Sequence, residues 1–119
     1  MKKSDFMKML RELIRDSKKA ILSTKEATPV ETLNYIDNRI IEFSKEVASA
    51  FDMPLSDPWE APMAIDLLRR NKCISNACWS KLIGFFLIID AFQIQEEIKF
   101  DTDLEFLLKY IEDLEEVCC

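Results

Sequence analysis

The chain has 119 residues, 49% of them hydrophobic and 32% charged, with a net charge of −6 and no histidine. That length fits one domain with one core, and the share of large apolar residues excludes a disordered chain. A single glycine and four prolines supply too little turn chemistry for a β-sandwich, so a single all-α domain spanning 1–119 is expected.

Five helical segments are predicted. The first runs from about Asp5 to Leu22, with Phe6, Leu10, Leu13, Ile14, Ser17 and Ile21 on one face at spacings of three and four. Ser4 is placed as its N-cap. Thr28-Pro29-Val30-Glu31 then sets a cap residue, a proline at the first helical position and a glutamate two further on, the pattern of a capping box. From it Val30, Leu33, Ile36, Ile40, Phe43, Val47 and Phe51 form a sustained stripe, ended by Pro54 and the polar stretch to Asp57. Asp57-Pro58-Trp59-Glu60 repeats the signal and opens a third helix to about Arg70.

A break at Asn71–Ser75 precedes the fourth helix, about Asn76 to Ile98, capped by Ser75 or Asn76. Leu82, Ile83, Phe85, Phe86, Leu87, Ile88, Ile89, Phe92 and Ile94 make it apolar on most faces, which is the mark of a helix buried on several sides. It is therefore expected to be the central element of a compact bundle of four to five helices. The fifth helix opens at Thr102-Asp103-Leu104-Glu105, read as another capping box, and carries Leu104, Leu107, Leu108, Ile111 and Leu114.

Charge is divided unevenly along the chain. Residues 1–25 carry eight Lys and Arg against three acids, net +5, and residues 26–119 are net −11. An acidic body argues against nucleic acid as the primary ligand, because phosphate contacts need concentrated positive charge. The basic residues of the first helix (Lys8, Arg11, Arg15, Lys18 and Lys19) are expected to form a solvated face or to pair with the acidic fifth helix. The charged, amphipathic N-terminal stretch lacks the apolar run of a signal peptide, and Leu82–Ile94 is too short to span a bilayer and contains Asp90. A cytoplasmic protein that does not enter membranes is the expectation.

The absence of histidine removes the commonest general acid–base and the commonest transition-metal ligand together. Cys78, near the start of the fourth helix, could have its thiol activated by the helix N-terminus, but a packed thiol is the simpler account. Cys73, Cys78, Cys118 and Cys119 have the wrong spacing for a zinc site and form no disulfide framework of the small secreted kind. The acidic residues Glu112, Asp113, Glu115 and Glu116 before the terminal Cys-Cys argue against prenylation. Asp101, Asp103, Glu105 and Glu112 brush against a calcium-loop pattern, yet Phe106 occupies the position that needs glycine. No catalytic residue, metal or cofactor is expected.

From the third helix onward, Ala64-Ile65-Asp66-Leu67-Leu68, Cys73-Ile74-Ser75 and Leu82-Ile83-Gly84-Phe85 resemble the HepT-like branch of the HEPN superfamily. The resemblance covers roughly residues 58–117 and rests mainly on apolar spacing. Those proteins are compact helical bundles that usually dimerise, and many are toxin ribonucleases paired with a nucleotidyltransferase antitoxin. In them Gly-Phe is followed by Arg-Asn, then by His and Tyr two residues apart. Here Phe86 and Leu87 stand at the Arg-Asn positions, Ala91 at the His and Gln93 at the Tyr. The resemblance thus implies a catalytically inactive relative, with Gly84 marking a close helix–helix approach at the former active-site groove.

Two functional expectations follow. The first is a non-enzymatic interaction module, an acidic inhibitor, immunity or antitoxin-type protein or an oligomeric scaffold, that engages a protein partner or a second copy of itself. Its candidate interface is Gly84, Phe85, Phe86, Ile89, Asp90 and Phe92 on the fourth helix. The alternative is a degenerate HEPN-like ribonuclease relative acting with a partner subunit.

Overall fold

The computed structural model of the chain describes residues 3–23, 28–53, 61–95 and 100–119. Five α-helices follow one another: α1 (Lys3–Leu22), α2 (Pro29–Ala50), α3 (Ala61–Arg70), α4 (Asn76–Gln93) and α5 (Glu105–Cys118). No strand occurs among the described residues. The expected all-α bundle is the observed fold, and its radius of gyration of 14.0 Å is close to the ~13.5 Å of a well-packed globule of this length.

Local signals explain most of the boundaries. Thr28 is extended, and its Oγ1 accepts a hydrogen bond from the Glu31 amide at 3.1 Å, so α2 starts where the capping pattern places it. Ser75 does the same for α4, accepting from the Cys78 amide at 3.0 Å. Ser4, expected as a cap, instead lies within α1. The capping signal at Asp57–Glu60 falls outside the described residues. At α5 the expected capping box does not form: Phe100–Leu104 makes a π-helical turn that runs straight into the helix, with no side-chain cap. The backbone that Thr102 would have capped already continues into the preceding turn.

α2 and α3 end in the same way, without glycine. Asp52 and Lys72 each take the left-handed conformation at φ 58°. Around Lys72, the Cys73 amide donates to the Leu68 carbonyl at 2.9 Å and the Lys72 amide to Arg69 at 3.1 Å. Around Asp52, Met53 donates to Ala48 at 2.8 Å and Asp52 to Ser49 at 3.1 Å. Both are Schellman closures, which satisfy the last helical carbonyls and turn the chain sharply.

α1 and α2 form an antiparallel pair, stacked at one end by the Phe6 and Phe51 rings at 5.3 Å and bridged further along by Arg39 to Asp16 at 3.2 Å. All six residues of the predicted α1 face are buried, Ser17 included. In α2 the stripe from Leu33 to Val47 is buried, but Val30 is 56% exposed. α5 lies against α1 and α4, burying Leu107, Ile111 and Leu114, and Lys18 of α1 pairs with its Glu115 at 3.3 Å.

α4 is not surrounded on every side as its composition suggests. Leu82, Phe85 and Ile89 are fully buried and Phe86 nearly so, against α2, α3 and α5. Leu87, in contrast, is 60% exposed, and Asp90, Ala91 and Gln93 also face outward. α2 is equally central, packing on α1, α3 and α4. The physical reason is that a domain of this length buries only about two thirds of the surface its unfolded chain exposes, so even its most apolar helix keeps an outer edge.

A disulfide joins Cys78 at the start of α4 to Cys118 at the end of α5, across forty residues of sequence. The antiparallel arrangement of these helices sets the two cysteines side by side. Cys78, expected as a packed thiol, is thus half of a cross-link, and Cys73 (buried) and Cys119 (exposed) are the free cysteines.

Candidate functional site

α2 and α4 run antiparallel, and their outer faces enclose a groove of about 440 Å³ that is closed at one end by the start of α3. Its apolar lining comes from Ile40 and Ile41 of α2, Ala61 and Pro62 of α3, and Ile83, Phe86 and Leu87 of α4. Asp37 and Asp90 line it from opposite helices. Beyond them the Gln93 amide donates to Asn34 Oδ1 at 3.4 Å, a polar strap between the two helices.

The groove follows from helical periodicity. Asn34, Asp37 and Ile41 share one edge of α2, and Ile83, Leu87 and Asp90 share the facing edge of α4, all at spacings of three or four. The core stripes of both helices lie to the inside, so these edges are left to form the rim. Neither Asp37 nor Asp90 meets a Lys or Arg side chain among the described residues. Burial against the apolar lining raises the Asp90 pKa above the ordinary carboxylate value, and the Asp37 carboxylate across the groove raises it further. Two like charges thus face a partly desolvated space with no counter-charge of their own.

The structure separates the six residues expected to form an interface. Phe85 and Ile89 are fully buried in the core and cannot meet a partner. Gly84 is covered within the chain by Tyr110 of α5, whose hydroxyl donates to the Lys81 carbonyl at 2.7 Å. The close approach at Gly84 is thus an α4–α5 contact within the chain. Phe92 is half-buried, edge-on to Phe106 at 6.5 Å. Phe86 forms part of the groove floor, and Asp90 stands on its rim.

Asp37, Ile41, Pro62, Ile83, Leu87 and Gln93, which also line the groove, were not among the candidate interface residues. For Ile41 a signal was present: it lies beside, rather than on, the core stripe of α2, as does Asp37 one turn earlier. Phe86, Leu87 and Gln93 all line the groove, and Ala91 is exposed beside it. None of these four side chains can exchange a proton near neutral pH.

The basic face of α1 is partly engaged inside the molecule. Lys18 pairs with Glu115, Arg15 with Asp16 at 3.2 Å, and Arg11 lies beside the Cys119 thiol. Among the described residues no three His, Cys, Asp or Glu side chains gather as metal ligands, and no helix is long and apolar enough to cross a membrane. Compared with protein-family models, curated proteins and solved structures, the chain matches none.

Proposed function

We propose that this protein is a non-enzymatic interaction module that captures a basic protein partner in the groove between α2 and α4. The observation that carries this reading is the pairing of Leu87, a large apolar side chain left 60% exposed, with two carboxylates that meet no cation among the described residues. An exposed apolar patch rimmed by charge is the common form of a protein-binding surface. Uncompensated carboxylates next to it favour a positively charged partner and disfavour nucleic acid.

Catalysis is not part of the proposal, because the groove holds no nucleophile and no acid–base pair beyond the two aspartates. Kinship with HepT-like proteins would fit the groove's position on α4, with binding kept and the catalytic side chains replaced. A cytoplasmic setting is the natural one for such a module, although the Cys78–Cys118 bond would persist only where conditions are oxidising.

Affinity capture from the native source tests the reading, using wild-type protein beside Leu87→Glu. Position 87 is exposed enough to accept the charge without loss of fold. A protein retained by wild type and lost from the variant is the expected result. Identical capture profiles, with a single species near 13.9 kDa in light scattering, would overturn it.

A further inference from the structure

The groove's charge and shape narrow the class of partner element, and this inference rests on the interaction reading above. From Ile83 to Gln93 the α4 edge spans ten residues, or about 15 Å, close to three helical turns. The groove lies between two antiparallel helices, and its lining changes along its length. The end near α3 is apolar, formed by Ile41, Pro62 and Ile83. The middle carries Asp37 and Asp90 opposite each other. A rod that carries a cation at one point and apolar side chains one and two turns further toward α3 matches that order.

We propose that the groove seats a helical segment of a partner protein, which places one lysine or arginine between Asp37 and Asp90 and packs apolar side chains three or four residues away onto Ile41 and Leu87 and about seven residues away onto Ile83. A long basic side chain suits the position because its methylenes can lie on Leu87 and Phe86 while its charged end meets both carboxylates. An amphipathic helix in an apolar groove reads as anchors at such spacings. The cation also removes the like-charge opposition that the free protein carries, so the interaction improves on a state that is unfavourable before binding.

The experiment is a selection from a library of helix-forming peptides about four turns long, carried out on the intact oxidised protein. Affinities of the selected peptides are then measured by fluorescence anisotropy for wild type, Asp37→Asn/Asp90→Asn and Glu112→Gln. Glu112 is exposed on α5, outside the groove. The asparagine pair keeps the side-chain shape, and thermal melting verifies that the variant is folded.

Enriched peptides are expected to carry a Lys or Arg with large apolar residues three or four positions away. They should bind the asparagine pair at least tenfold more weakly than wild type and Glu112→Gln unchanged. Peptides that bind the groove without a basic residue, or that bind the asparagine pair as well as wild type, would overturn the cation assignment and leave the interaction reading standing. Failure of every peptide to compete at Leu87, or self-association that occupies the groove, would overturn both.

Discussion

Gly84→Ala isolates the packing of α5 on α4, because two effects of known sign oppose each other there. In a helix interior alanine is favoured over glycine by about 0.8–1 kcal/mol. A Cβ at position 84, however, would overlap the Tyr110 hydroxyl. That hydroxyl is fixed by its 2.7 Å bond to the Lys81 carbonyl, and the ring lies 4.7 Å from the Lys81 ammonium. Displacing the ring forfeits the hydrogen bond, about 1 kcal/mol, and the cation–π contact, about 0.5–1 kcal/mol. Strain in the crowded seam adds about 1 kcal/mol or more. The net effect is a destabilisation of about 1.5–2 kcal/mol.

Tyr110→Phe makes this reasoning testable. Alone it costs about 1 kcal/mol through the lost hydrogen bond. It also removes the overlapping atom, leaving the ring carbon 3.3 Å from the new Cβ, a contact that a slight shift relieves. In that background Gly84→Ala should be neutral or stabilising. Urea denaturation of the four proteins in the double-mutant cycle should give a coupling energy of about 1.5–2.5 kcal/mol. If Gly84→Ala stabilises both backgrounds by the same ~1 kcal/mol, Tyr110 does not lie against Gly84 and the α4–α5 packing is wrong.

Reducing the Cys78–Cys118 disulfide frees a loop of forty residues, which should lower stability by about 2–4 kcal/mol and the melting temperature by roughly 8–15 °C. Calorimetry with and without reductant, and on Cys78→Ser/Cys118→Ser, checks this; equal melting points would contradict the cross-link. Asp90→Asn should raise the melting temperature near neutral pH, since it removes a carboxylate disfavoured by burial and by Asp37. The folded-state pKa of Asp90 lies above its unfolded value, so its cost is present above the folded pKa and is relieved as pH falls through it. The gain from Asn should therefore shrink in that window, and a gain independent of pH would refute the assignment. Lys72→Gly should stabilise the protein by about 1 kcal/mol, because glycine adopts the left-handed φ of 58° without steric cost. A loss of stability in chemical denaturation would show that the α3 closure is not the one described.

Much of the fold was legible because amphipathic period and capping chemistry are local. The α1 face from Phe6 to Ile21 and the caps at Thr28 and Ser75 needed no knowledge of neighbouring helices. The ends of α2 and α3 were placed by Pro54 and by the polar break after Arg70, but not their closures: the usual glycine signal is absent, and Asp52 and Lys72 take the left-handed turn within local backbone hydrogen bonds. The Cys78–Cys118 pair was illegible for a related reason: spacing along the chain does not reveal which helix ends meet. For the candidate site, composition identified α4 and Asp90 but misjudged the side. Phe85 and Ile89 look as available as Leu87 in sequence, and only the packing of α2 and α5 decides which are covered. Asp37 became part of the site through the antiparallel register of α2 and α4, which brings it opposite Asp90, 53 residues on in the sequence.

The interaction surface is tested most directly by site-specific photo-cross-linking in the native source. A photoreactive phenylalanine analogue is placed at position 87 in the groove and, separately, at position 112 on the outer face of α5. The account predicts a discrete covalent adduct with one protein from position 87, none from position 112, and loss of the position-87 adduct when Asp37 and Asp90 are both replaced by asparagine. Adducts of equal yield from both positions, or a position-87 adduct indifferent to the two aspartates, would contradict it.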